Sequence, residues 1–193
     1  MTLSPPPLSL GEVYRYLGQK DPTPEVAAQV DRAVALGLPQ FTYRALYRVL
    51  SLEEAEAFFG DLIVGPGVRR RLTGCTHLVV FAATVGHAFD RLLARESHKS
   101  ASLALCLQAL GAERIEGLCD ALEVHLTEIY GESFLLRKRF SPGYGDFPLE
   151  AQKRIFSLLG CENIGLTLCD SLLMSPTKSV TALVGLEGRT HED

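Results

Sequence analysis

The sequence predicts an α+β fold, with helices and strands in irregular alternation rather than the strict strand–helix repeat of a doubly wound parallel sheet. Three observations carry this. His77 to Thr84 is a near-continuous apolar run with β-branched residues, the pattern of a buried strand. Lys99 to Tyr130 holds the longest helical periodicity in the chain. Ile164 to Cys169 and Ser179 to Leu186 are both strand-like and flank Met174 to Lys178, a spacing that predicts an antiparallel hairpin with a wide loop.

In chain order, Met1 to Pro7 is Pro-rich and predicts an extended lead-in. Leu10 to Leu17 predicts a short helix closed by Gly18. Thr23 suits a cap with Pro24 in the first position of a helix reaching about Leu36, whose apolar face carries Val26, Val30, Ala33, Val34 and Gly37. Phe41 to Leu50 has strand-forming residues, and its arginines and tyrosines suit a solvated edge. Ser51 and Glu54 form a capping-box pattern that predicts a helix over residues 52–59. Leu62 to Val64 and Val68 to Leu72 are expected as strands. Phe89, Leu92 and Leu93 predict a helix after Gly86. The long helix carries Leu107, Leu110, Leu118 and Leu122 for the core, with a possible break at Gly111. Ser133 to Phe140 predicts a strand, and Leu149 to Leu159 an amphipathic helix ended by Gly160.

The chain has 193 residues, 47% hydrophobic and 22% charged, which suits one domain or one domain with a small appendage. A net charge of −4 argues against nucleic-acid binding, and Arg69-Arg70-Arg71 is too short a basic cluster to reverse that. No apolar run reaches the roughly 18 residues of a membrane helix, so no membrane partner is expected. Met1 to Pro7 lacks the basic start of a signal peptide. Five cysteines, an odd number without a C-x-x-C pair, predict buried thiols in a reduced, cytoplasmic protein. Cysteines and histidines show no metal-ligand spacing, and the phosphate-loop, dinucleotide and nucleophile-elbow motifs are missing. No catalytic residue and no metal site is expected.

The least generic stretch is Arg139-Phe-Ser-Pro-Gly-Tyr-Gly-Asp-Phe-Pro148. Two prolines and two glycines exclude a helix and predict a shaped loop. Arg139 offers a planar fork for a carboxylate or phosphate, Gly143 and Gly145 bare backbone, and Tyr144 a ring. Such a loop is either one wall of a small-molecule site or a rigid turn. Glu113, Glu116, Asp120 and Glu123 share one face of the long helix at steps of three and four. They form either a solvated stripe or a contact for a cationic ligand.

Together these stretches resemble the activation domain of cobalamin-dependent methionine synthase, in a short stand-alone form. The loop matches the family's R-x-x-P-G-Y pattern. Ile164-Gly165-Leu166 to Ser171 resembles I-G-x-x-L-x-[ED]-S, and Met174-x-Pro176-x-x-Ser179-Val180 resembles M-x-P-x-x-S-V. The resemblance spans roughly residues 75–186. It implies a C-shaped domain around a twisted antiparallel sheet. Residues 1–70 are expected as a helical and extended region packing on a 71–187 core, and the polar residues 188–193 as a loose tail. The resemblance also implies S-adenosylmethionine as ligand, used to remethylate cobalamin that has been oxidised and re-reduced. Cobalamin is then reached only through a partner, a methionine synthase or corrinoid protein, with a flavodoxin or ferredoxin-type electron donor. By the same resemblance Arg139 pairs with the ligand carboxylate, Ser141, Pro142 and Gly143 lie along it, and Tyr144 closes over it. Asp120, and less directly Glu116, supply the acidic contact. The chain is then an auxiliary component of methionine biosynthesis rather than an independent enzyme. The alternative is a docking partner that keeps the fold without tight ligand binding.

Overall fold

The computed structural model describes residues 1–189. Helix α1 (Leu10–Tyr16) is capped by the Ser9 hydroxyl, and α2 (Pro24–Gly37) by Thr23 with Pro24 in its first turn. Strand β1 (Arg44–Ser51) ends in a two-way capping box, Ser51 with Glu54, that opens α3 (Leu52–Phe59). The strands expected next are helical: Gly60–Ile63 is a 3-10 turn and Pro66–Leu72 is α4. Pro66 suits the first position of a helix. Val68 and Leu72, four apart, are buried, while Arg69, Arg70 and Arg71 are exposed. That period belongs to a helix rather than a strand. Then follow β2 (Cys75–Thr84), α5 (His87–Ser97), α6 (Ala101–Tyr130) and β3 (Phe134–Leu136). The chain closes with α7 (Ala151–Leu159), β4 (Thr167–Leu168), β5 (Met174–Ser175) and β6 (Ser179–Gly188).

The main sheet is antiparallel, in the order β1-β2-β6-β3. The hairpin expected between the two last strand segments does not form. The dipeptide strand β4 pairs with β5, and β6 pairs with β2 on one side and β3 on the other. Alternate residues of β6 explain this: Ala182, Val184 and Leu186 enter one core while Leu183 enters the other. A strand buried on both faces needs an interior position.

Two layers cover the sheet. Val79, Phe81 and Ala83 face Val13, Val30, Phe89, Leu107 and Leu118 from α1, α2, α5 and α6. Leu78, Val80 and Leu183 face Phe59, Val68 and Ile155 from α3, α4 and α7. Helix α6 runs unbroken through Gly111, where a Cβ would stand 2.6 Å from Phe89 Cε1. The Pro-rich start is pinned to this helix. Arg114 donates to the carbonyls of Pro6 and Pro7 at 2.8 Å each, and Glu113, paired with Arg114, accepts from the Ser9 amide at 3.0 Å. Strand β6 continues through Gly188, and the Arg189 amide donates to Ser133. Residues 190–193, where the rest of the expected tail falls, lie outside the described residues. Among the described residues no helix is long and apolar enough to cross a membrane.

Candidate functional site

After β3 the chain follows β6 only as far as Phe140, whose amide and carbonyl bond Leu183. The chain then leaves the sheet. Gly143, at φ 88°, donates to the Phe147 carbonyl at 2.8 Å and closes a turn. Phe147 is buried against Phe140, ring centroids 5.5 Å apart. Asp146 reaches across to α4, accepting from the Gly67 amide at 2.6 Å and the Val68 amide at 3.2 Å. A Cβ at Gly67 would stand 2.5 Å from the Asp146 carboxylate, so glycine is what lets the two segments meet. The loop is therefore a rigid turn, and it is also a wall.

Where this segment departs, the Ser179 to Thr181 end of β6 borders a cavity of about 430 Å³. Arg139, Phe140, Ser141, Pro142 and Tyr144 line it from the loop. Glu116 lines it from α6, Arg71 from α4 and Gln152 from α7. Tyr144 is 77% exposed, a ring free to cover an occupant. Gly143 and Asp120 are not among the lining residues: Gly143 closes the turn, and Asp120 pairs with Arg139.

Arg139 was expected to meet a ligand carboxylate, and the acidic stripe a ligand cation. In the structure they meet each other. Nη1 donates to Asp120 Oδ1 and Glu123 Oε1 at 2.8 Å each, and Nη2 donates to Glu116 Oε2 at 2.7 Å. Burial works against the charge on Arg139, but hydrogen bonds to Glu123, Glu116 and Asp120 outweigh it and hold its pKa above the ordinary value. One guanidinium against three carboxylates leaves the cluster two charges negative. Glu113, the fourth acid of the stripe, is turned instead to the N-terminal segment.

Two residues of the cavity lining each carry a buried polar atom with no hydrogen-bond partner among the described residues: Gln152 Oε1 and Thr181 Oγ1. Their residues are only 6% and 1% exposed. Leaving such a group unpaired costs about 1–3 kcal/mol. Sequence reasoning missed Arg71, Gln152 and Thr181. Gln152 had a signal, since it shares the buried side of α7 with Ile155. Arg71 was hidden by the strand reading of its segment, and the role of Thr181 depends on where the neighbouring chain leaves β6. Among the described residues no His, Cys, Asp and Glu cluster is arranged to hold a metal.

No family model and no curated protein sequence matches the chain. In three dimensions it is similar to the crystal structure of the MetH reactivation domain bound to AdoHcy, at 16% identity and a TM-score of 0.59. The match covers 96% of this chain and 69% of that chain. At that identity the likeness establishes the fold: an antiparallel four-stranded sheet with flanking helices, arranged as in that domain.

Proposed function

We propose that the protein binds S-adenosylmethionine in the cavity beside β6 and serves as a reactivation component for a cobalamin-dependent methionine synthase. The observation that carries this is the cavity itself. It lies between the Arg139–Tyr144 segment and α6, with Gln152 and Thr181 also in its lining, in a fold similar to a domain solved with AdoHcy. The negative cluster on α6 suits a ligand with an ammonium and a sulfonium, and Glu116 is the member that lines the cavity. Ser141 and Pro142 form a fixed wall held by the Gly143 turn, and Tyr144 supplies a ring to stack over the ligand. Asp120 steadies the wall by holding Arg139.

Methyl transfer from a sulfonium to a reduced corrinoid needs a positioned, dry donor more than a general acid or base. The corrinoid belongs to a partner, a cobalamin-binding methionine synthase or corrinoid protein, and the electron to a flavodoxin or ferredoxin-type donor. Such a component works in the cytoplasm. Isothermal titration with S-adenosylmethionine tests the proposal: saturable binding below millimolar ligand supports it, and silence at millimolar ligand overturns it.

The satisfied state of Arg139 favours a second reading, a partner that docks on a corrinoid protein without tight ligand binding. No heat of binding, together with co-purification of a corrinoid protein, selects that reading. Failure to capture such a protein counts against both.

A further inference from the structure

We infer that Arg71, on α4, takes the carboxylate of the ligand, and that Arg139 is withheld from this role by α6; this rests on the S-adenosylmethionine reading of the cavity. Three donor hydrogens of Arg139 are already committed to Glu116, Asp120 and Glu123. A ligand carboxylate approaching it meets a cluster two charges negative. Arg71 lines the same cavity and has neither an ion pair nor a side-chain hydrogen bond among the described residues. Its guanidinium carbon lies 5.7 Å from the centre of the Phe140 ring, a contact that orients the planar fork without using its donors.

The support beneath Arg71 is firm. Val68 and Leu72 bury the inner side of α4, and Asp146 of the cavity loop accepts from the amides of Gly67 and Val68. The helix that carries Arg71 and the loop that forms the wall are thus one unit. Arg71 and Glu116 enter the cavity from the layers on opposite faces of the sheet. The site is therefore dipolar, positive on the α4 side and negative on the α6 side, with the neutral residues Gln152 and Thr181 also in its lining. An amino-acid end lies across it with its carboxylate towards α4 and its cationic groups towards Glu116.

The test is calorimetric titration of the full chain and of Arg71→Gln and Arg139→Gln with two probes, S-adenosylmethionine and its decarboxylated analogue. Losing one charge-assisted contact is expected to weaken S-adenosylmethionine about tenfold to hundredfold in Arg71→Gln. The same variant keeps its affinity for the decarboxylated analogue, and Arg139→Gln changes both probes alike. The inference is overturned if Arg71→Gln binds both probes as the unaltered chain does, or loses both equally. It is also overturned if the carboxylate-dependent loss appears in Arg139→Gln. Each of these leaves the S-adenosylmethionine reading standing, whereas an unaltered chain that binds neither probe removes both.

Discussion

Arg139 spans three acidic side chains at successive turns of α6, and this single contact set accounts for the spacing of Glu116, Asp120 and Glu123. Each pair is partly solvated and contributes little alone, about 0–1 kcal/mol. Together they fix one side chain that no backbone element holds. The residue types were legible from the sequence, since the stripe and the loop arginine both stood out. Their pairing was not, because nothing in a linear order says that a loop 16 to 23 residues downstream folds back on that helix face. The expectation of buried thiols holds for four cysteines and fails at Cys169. Burial pushes the Cys161 thiol up to about 12 and raises Cys119, Cys75 and Cys106 as well, while Cys169 is exposed. The thiolate is the reacting form, so groups with raised pKa stay protonated and inert near about pH 8. An aromatic disulfide reagent is expected to release one equivalent quickly from the native protein and five in denaturant. A second fast equivalent from the native protein contradicts the burial of the other four.

At the level of elements, local signals located the helices whose ends are written in the chain. The Ser51 and Glu54 box opens α3, and Gly160, at φ 61°, ends α7. Gly111 misled, because a glycine within a helical pattern suggests a break. Its reason is a neighbour from elsewhere. A Cβ would stand 2.6 Å from Phe89 Cε1 and 2.9 Å from Lys178 Cε, and Phe89 is fully buried, stacked on Phe41 at 4.4 Å. In a free helix Gly→Ala gains about 1 kcal/mol. Here Gly111→Ala is expected to lose about 1–3 kcal/mol by overpacking. The urea midpoint should fall with the slope unchanged, and a raised midpoint would show that the ring and the lysine stem yield.

For the whole molecule, α6 joins the fold to the site: one side carries Leu107, Leu110, Leu118 and Leu122 into the core, and another presents Glu116 to the cavity. Leu118 is 0% exposed. Leu118→Asp buries an unpaired charge and is expected to cost more than about 4 kcal/mol, enough to abolish the cooperative melt followed by circular dichroism. A melt like that of the unaltered protein means that the helix faces the other way. By itself, the sequence determined the α+β class, the buried strand β2, most helices and the shaped loop, since each is set by short-range periodicity, caps and the stereochemistry of glycine and proline. Only the tertiary structure decided that β6 lies beside β2 rather than hairpinned to Thr167–Leu168, that α4 is a helix bringing Arg71 to a cavity, and that Arg139 is already partnered. Those outcomes depend on which faces are buried together and which charges meet across distant segments, and such energies exist only once the chain has closed on itself.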